Sequence, residues 1–259
     1  MKYRILLFLF SIIAASNAYS QNADKDSTYW DISGYGFVDY NMAILTGSNG
    51  GISASDMKDI NLPRVGYSLG FSVIRPLSKR LSIDFGLAFQ SQGYKTGNLM
   101  DSVVNYRDSL LFTQEYHSAV RYASINIPVL LKINLFHIKK TTVDLGIGVA
   151  PVISLGRRTI SYFADHNETV NGKSGPDLDV QALASITVRI PLSEKLSLTL
   201  APTFRYNVMA YKDPIYDGIK RSFLSPGIGI YLTYKLTDNE IYEYYYRHIY
   251  KNPKPQPAF

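Results

Sequence analysis

Apolar and polar side chains alternate with a period of two over most of the stretch between residues 29 and 236. Successive side chains of a β-strand point to opposite faces, so this pattern predicts strands that have one apolar and one polar face. In the segment 65–74, the apolar positions are Val65, Tyr67, Leu69, Phe71 and Val73. Segments of this kind occur at 29–43, 65–74, 81–90, 125–133, 143–150, 179–190, 196–207 and 227–236. The sequence therefore predicts an all-β fold of eight strands.

The connections between these segments alternate in length. Short links lie at 75–80, 136–140 and 191–195, and long polar links lie at 44–63, 94–118, 156–177 and 210–221. Short turns at one end and long loops at the other are typical of outer-membrane barrels, in which the short turns are periplasmic. We therefore predict an eight-stranded antiparallel transmembrane up-and-down β-barrel spanning residues 21–236.

The polar face carries charges of both signs. A membrane barrel turns its apolar face outward to lipid, whereas a lipocalin or a β-sandwich hides it inside, and this soluble alternative stays open. In the barrel, the charges would pair in a lumen that eight strands make just wide enough for side chains. The predicted lumen charge network is Asp84, Lys132, Asp144, Asp179, Arg189, Arg205 and Lys235, with Asp31 or Asp39 as a further acid. A lumen filled in this way would be closed, so we do not expect an ion channel.

The first twenty residues have the pattern of a secretory signal peptide. Lys2 and Arg4 precede an apolar run at 5–15, and Ala18 and Ser20 are small residues before a cut at Gln21. The run is too short to span a bilayer. We therefore expect residues 1–20 to be removed and the chain to be exported. The chain has no cysteine, which excludes disulfides and thiolate metal sites.

The charge balance does not indicate a nucleic-acid partner. The chain has 27 Lys and Arg against 21 Asp and Glu, a net charge of +6, and the excess is scattered. The 21 tyrosines are more informative, because the amphipathic tyrosine ring suits a boundary between an apolar phase and water. We expect the outer-membrane bilayer itself to be the main surrounding of the barrel, which we expect to be monomeric.

The four histidines do not form a recognisable catalytic or metal motif. They are scattered along the chain at His117, His137, His166 and His248, without metal-ligand spacing. Asp165 next to His166 could mimic part of a hydrolase site, but a solvated loop is the preferred interpretation. We therefore expect no catalytic residue, no metal and no cofactor.

Two aromatic segments point to partners. Tyr106, Phe112 and Tyr116 lie in the link 94–118, where they could contact a protein or form part of a membrane-interface girdle. The tail 237–259 carries Tyr242, Tyr245 and Tyr246 at helical spacing, followed by prolines. This tail could be an interfacial helix, a plug or a periplasmic docking segment for an envelope protein.

Two hairpin segments resemble each other. Residues 72–83 match residues 187–198 at most positions, four strands later. Both contain a Pro-Leu-Ser turn, at 76–78 and at 191–193. A duplicated half-barrel explains the match, and so do similar local constraints. Either explanation supports hairpin order.

Residues 122–132, Tyr-Ala-Ser-Ile-Asn-Ile-Pro-Val-Leu-Leu-Lys, resemble the fourth strand of the Bacteroidetes-type outer-membrane β-barrel domain family, often called PorT-like. Asn126 stands where an acid is commoner in that family. The Gly-rich segment 145–151 is similar to the family's fifth strand. The resemblance implies a barrel in the outer membrane, and some relatives assist a protein-secretion system. We therefore expect a non-enzymatic barrel that acts as a scaffold, interaction or secretion-assembly factor. The alternatives are a small pore and, less favoured, a lipid-modifying enzyme.

Overall fold

The computed structural model describes residues 30–49, 52–53, 61–78, 80–104, 111–172, 178–212 and 219–236. The described residues contain no helix able to cross a membrane. The strands are β1 Trp30–Asn49, β2 Ile52–Ser53, β3 Asn61–Leu62, β4 Arg64–Pro76, β5 Leu81–Thr96, β6 Leu99–Val104, β7 Leu111–Asn126, β8 Val129–Ile138, β9 Thr141–Tyr162, β10 Asn167–Gly172, β11 Leu178–Pro191, β12 Leu196–Asn207, β13 Tyr211–Lys212 and β14 Ile219–Leu236. The predicted signal peptide 1–20 and the tail 237–259 lie outside the described residues.

The long strands form a closed antiparallel ring. The order around the ring is β1, β4, β5, β7 with β8, β9, β11, β12 and β14. The ring closes because β14 pairs with β1 from Trp30↔Leu236 to Gly47↔Ile219. The ring has eight positions, which confirms the predicted eight-stranded antiparallel barrel.

The fourth position of the ring consists of two strands. The prediction of one strand over 125–133 is wrong, because β7 ends at Asn126 and β8 begins at Val129. Pro128 has no backbone N–H to donate, so it interrupts the ladder. The wall nevertheless continues, because Ile127 N donates to Pro151 O at 2.9 Å and Gly86 N donates to Pro128 O at 2.8 Å.

The apolar face of the barrel points outward. On β4 the outward side chains Val65, Tyr67, Leu69 and Phe71 are exposed, and Leu69 retains 61% of its accessible surface. The same holds on β14 for Ile228, Ile230 and Leu232. A soluble β-protein would bury this set, so the outward apolar face agrees with a membrane barrel.

The two similar hairpins have the same turn geometry. In the β4–β5 turn, Leu77 N and Ser78 N donate to Leu81 O at 2.8 and 3.0 Å. The β11–β12 turn repeats both bonds, from Leu192 and Ser193 to Leu196, at 2.8 and 3.0 Å. The Ser78 hydroxyl accepts from Leu81 N at 3.1 Å, and that of Ser193 from Leu196 N at 3.0 Å. The sequence repeat therefore corresponds to a repeated local structure.

At the opposite end, the strands extend further than predicted. The links 94–118 and 156–177 were expected to be loops, but β5 reaches Thr96, β7 starts at Leu111 and β9 runs to Tyr162. The added strands β6 and β10 pair with β7 and β9. These hairpin arms have polar residues on both faces, so they lack the alternation on which the prediction depended.

Candidate functional site

The lumen of the barrel contains the predicted charges and begins, at the short-turn end, with two ion pairs. Arg189 Nη1 lies 2.8 Å from Asp31 Oδ2, and Lys132 Nζ lies 2.6 Å from Asp84 Oδ2. The Lys132 and Asp84 side chains are only 4% and 2% exposed. Arg189 and Asp31 lie on β11 and β1, which are not neighbours in the ring, whereas Lys132 and Asp84 lie on the paired strands β8 and β5. Each charge therefore has a partner of opposite sign at a depth where an unpaired charge would be costly.

Asp144 and Asp179 accept hydrogen bonds, and neither takes part in a salt bridge with another described residue. Asp144 accepts from Asn134 Nδ2 at 2.8 Å and from Thr187 Oγ1 at 3.4 Å. Asp179 accepts from Asn207 Nδ2 at 2.6 Å and from the backbone N–H of Met209 at 2.9 Å. The predicted charges therefore occupy several separate groups along the lumen.

Lys235 lies at the short-turn mouth of the barrel. It lines a cavity of about 170 Å³ together with Asp31 and Arg189. The Lys235 side chain is half-buried, so this residue of the predicted charge network is partly exposed to water at the mouth. Glu194 and Lys195 line the same cavity, so two acids and three cations meet at this mouth.

Arg205 connects the charges to an aromatic group. Its Nη1 donates to Ser68 Oγ at 2.7 Å and lies 3.4 Å from Asp39 Oδ2. Its guanidinium carbon is 4.3 Å from the centroid of the Phe37 ring, within the range of a cation–π interaction. Arg205 therefore spans the lumen from β12 to β1 and β4.

Tyr35, Phe37 and Tyr231, here termed the first aromatic cluster, fill the middle of the lumen. Their ring centroids are 4.9–5.4 Å apart. Lys132 Nζ is 5.2 Å from the Tyr231 ring. A Cβ added at Gly229 would collide with the Phe37 ring, so Gly229 provides the space that this ring occupies. The cavity beside the cluster measures about 40 Å³, which is room for a few water molecules only.

An amide layer lies next to the first aromatic cluster. Gln181 Nε2 donates to Gln90 Oε1 at 3.0 Å and to Asn207 Oδ1 at 3.3 Å. Asn126 Nδ2 donates to Gln90 Oε1 and, at 3.3 Å, to Gln181 Oε1. These side chains come from β5, β7, β11 and β12, so the layer links strands on several sides of the ring.

A second aromatic cluster follows toward the long-loop end, formed by Tyr94, Tyr122, Tyr211 and Phe223. The ring of Tyr122 lies 5.1 Å from that of Tyr211 and 5.6 Å from that of Phe223. The fully buried Arg221 places its guanidinium carbon 3.9 Å from the Tyr94 ring. Asn207 Nδ2 donates to Tyr211 Oη at 3.2 Å, which joins this cluster to the amide layer.

The amide layer and the aromatic clusters were not singled out from the sequence. The alternation does assign Gln90, Gln181, Asn207 and Tyr231 to the same face as the charged residues. What it lacks is the register between distant strands, which decides which of these side chains meet. The large side chains at inward positions of every strand are the sequence signal that could have indicated the aromatic clusters and the amide layer.

The histidines are dispersed in the structure as they are in the sequence. His166 Nδ1 is 2.7 Å from Asp165 Oδ1, and the His166 ring stacks on Phe163 with centroids 4.7 Å apart. The hydrogen bond with Asp165 raises the pKa of the exposed His166 above its ordinary value. His117 stacks on Tyr162, His137 contacts Thr142, and His248 lies outside the described residues. In the described part of the chain, no group of three or more His, Cys, Asp or Glu could hold a metal ion.

Of the predicted partner residues, Tyr116 is the one whose side chain is described. It lies in β7 rather than in a loop, is half-buried, and stacks on Phe163 at 5.3 Å. Phe112 also lies in β7. The remaining predicted partner residues, Tyr106, Tyr242, Tyr245 and Tyr246, lie outside the described residues.

Comparisons with known proteins agree with the fold. Residues 17–208 match the family model described as "Outer membrane protein beta-barrel domain". Among curated proteins, none matches the sequence.

Three solved structures of outer-membrane proteins align with the chain at low sequence identity. The outer membrane protein OprG from Pseudomonas aeruginosa aligns over 81% of this chain and 97% of its own, with 10% identity and a TM-score of 0.46. Ail, the attachment invasion locus protein of Yersinia pestis, aligns over 79% and 99%, with 8% identity and a TM-score of 0.35. The outer membrane protease OmpT from Escherichia coli aligns over 84% and 100%, with 6% identity and a TM-score of 0.38.

Proposed function

Because the chain belongs to the outer-membrane β-barrel domain family and lies in the outer membrane, we propose that it is a non-enzymatic barrel with a closed lumen. In this proposal it acts as a scaffold, interaction or secretion-assembly factor. The contacts are made by its long loops outside the cell and by its tail in the periplasm.

The filled lumen is the observation that carries the proposal. A conducting pore needs a continuous path of water through the barrel. Here two aromatic clusters and an amide layer occupy the space between the strands, and their side chains are buried. The cavity next to the first aromatic cluster has a volume of about 40 Å³, so no solute larger than a few waters fits there. A barrel with a filled lumen acts through its ends and its outer surface.

The two ends differ in a way that supports the assignment of roles. Trp30 and Leu236 pair with each other, so the first and last residues of the described barrel lie at the same end. That end also has the short turns, which are periplasmic in outer-membrane barrels. The tail 237–259 would therefore start in the periplasm, where Tyr242, Tyr245 and Tyr246 could contact an envelope protein.

Affinity capture tests this proposal. The tagged full-length protein is purified from outer membranes in parallel with a variant that ends at residue 236. A full-length variant with Tyr242, Tyr245 and Tyr246 changed to Ser separates the tail's side chains from its length. We expect a specific envelope protein to be lost from both variants if the tail docks it.

The loops are tested in the same capture experiment. A variant with Tyr106→Ser and Phe112→Ser removes two of the aromatic loop-end residues while leaving the tail intact. Retention of the same envelope protein by the loop variant but not by the tail variants assigns docking to the tail, and the reverse result assigns it to the loops. A full-length protein that captures no specific partner contradicts a scaffold or assembly role.

A further inference from the structure

The outward apolar face ends in cations on three neighbouring strands. On β9 the outward side chain Leu155 is followed, after the bulge, by Arg158, and on β7 the outward position before Ala123 is Arg121. On β5 the outward Phe89 is followed toward the strand end by Lys95. Arg121 pairs directly with Arg158 in the ladder, and Lys95 pairs with Ala119. These cations therefore form one patch on the outside of the barrel.

A cavity of about 400 Å³ lies in this patch. Lys95 and Arg121 line it together with Arg64, Tyr40 and Tyr162. Arg64 also anchors itself there, because its Nη1 donates to Val120 O at 3.3 Å. Arg64 is the first residue of β4, Lys95 is the last but one of β5, and Tyr162 is the last of β9. The cavity is therefore at the long-loop rim of the barrel.

The charges of the patch are not balanced within the described chain. Among the described residues, Lys95, Arg121 and Arg158 take part in none of the salt bridges. Arg121 and Arg158 face each other across the ladder, and like charges in such a pair repel each other. On the far wall of the barrel, the outward residues Phe204 and Tyr206 are uncharged, and Lys220 is a single exposed cation near the same end of β14. The three cations of the patch are therefore concentrated on one side of the rim, where an anion would offset their charge.

We propose that this rim patch binds the phosphate groups of lipopolysaccharide in the outer leaflet, with Lys95, Arg121 and Arg158 as phosphate contacts. The inference rests on the proposed orientation, in which the long loops are extracellular. Basic pockets at the membrane surface recognise anionic lipid headgroups. A lipid fits better than a soluble anion because the patch borders an exposed apolar surface that contains Tyr67 and Leu69, where acyl chains can lie. Exposed tyrosine rings, as at Tyr40 and Tyr67, are favourable at this depth.

Native mass spectrometry with purified full-length protein in detergent tests the proposal, with bisphosphorylated lipid A as the probe. The test variant is Lys95→Gln with Arg121→Gln. The matched control is Arg80→Gln with Lys140→Gln, which removes the same charges from exposed positions at the short-turn end. Heat-modifiable gel mobility verifies that both variants are folded. We expect the affinity for lipid A to fall about tenfold in the test variant, since two charge-assisted contacts are lost, and to stay unchanged in the control.

Two further probes separate the sources of phosphate. Dephosphorylated lipid A should bind as weakly as lipid A binds the test variant, and inorganic pyrophosphate should not displace lipid A from the wild type. Equal binding of lipid A by wild type and test variant overturns the proposal, as does an equal loss in the control. Displacement of lipid A by pyrophosphate would contradict the assignment of a lipid, rather than a soluble phosphate, as the ligand. Binding in detergent does not depend on partners or on conductance, so its failure is distinct from a failure of the proposed function.

Discussion

The Lys132–Asp84 pair shows how a charge is accommodated inside a narrow barrel. Both side chains are almost completely buried, and Lys132 also lies near the face of the Tyr231 ring. A buried ion pair contributes little net stability against an apolar replacement, but the removal of one partner leaves an uncompensated charge. The pair therefore matters most for keeping the lumen in one arrangement.

The variant Lys132→Met should destabilise the folded barrel by about 3 kcal/mol, since Asp84 loses its partner at a buried position. The measurement is urea unfolding of the protein in lipid vesicles. The variant Lys140→Met serves as the control, because Lys140 is exposed in a turn and should change the free energy of unfolding by less than about 0.5 kcal/mol.

The second change Asp84→Asn separates the two explanations of such a loss. It removes the unpaired carboxylate, so the double variant should regain a large part of the lost stability. If the loss of unfolding free energy in the double variant equals the sum of the losses in Lys132→Met and Asp84→Asn, the two residues act independently.

The pKa of His166 is the second residue-level prediction. Its hydrogen bond with Asp165 raises the pKa, and Glu168, 3.5 Å away, contributes less. The charged contact is therefore complete at low pH and is lost as the pH rises through the raised pKa. NMR titration of the imidazole should show a lower pKa in Asp165→Asn and a smaller decrease in Glu168→Gln. The reverse order of the two variants would contradict the contact as described.

At the scale of strands, the outward apolar face predicts that a charge introduced there destabilises the barrel most near the middle of the bilayer. Leu69 lies near the middle of β4 and is exposed, so in a bilayer it contacts lipid. The variant Leu69→Arg should cost about 2–4 kcal/mol when the protein is folded into vesicles, because arginine is unfavourable at the midplane. Thr46→Arg, at an exposed position near the end of β1, should cost about 1 kcal/mol or less. Equal effects of the two variants would mean that Leu69 does not face lipid.

The main strands of the barrel were predictable from the sequence, whereas their polar extensions were not. The period of two predicted the number of ring positions and the outward face, because both depend on local alternation. The polar arms of β7 and β9 were missed, since alternation is absent where both faces meet water. The break at Pro128 could have been predicted, because proline cannot donate to the ladder.

The candidate site was harder to predict than the strands. The inward charges were identified, but the pairs of Asp31 with Arg189 and of Asp39 with Arg205 join β1 to β11 and β12. Contacts between such distant segments depend on how the ring closes, which no local pattern contains. The rim patch has the same origin, because Arg121 and Arg158 become neighbours only through the pairing of β7 with β9.

At the scale of the whole molecule, the barrel is a cylinder with an apolar outside and a filled inside. The ends and the outer rim are then the surfaces available for function. This arrangement distinguishes the proposed scaffold from a small pore, which would need the amide layer and both aromatic clusters to move aside together.

Planar-bilayer recording of the purified full-length protein tests the filled lumen most directly. A general porin reconstituted under the same conditions verifies that insertion and detection work. The structure predicts that the protein inserts without producing steady single-channel currents, because the aromatic clusters and the amide layer occupy the middle of the lumen and the cavity beside the first aromatic cluster measures about 40 Å³. Reproducible current steps of constant size, absent from protein-free bilayers, would contradict a closed lumen and favour a pore.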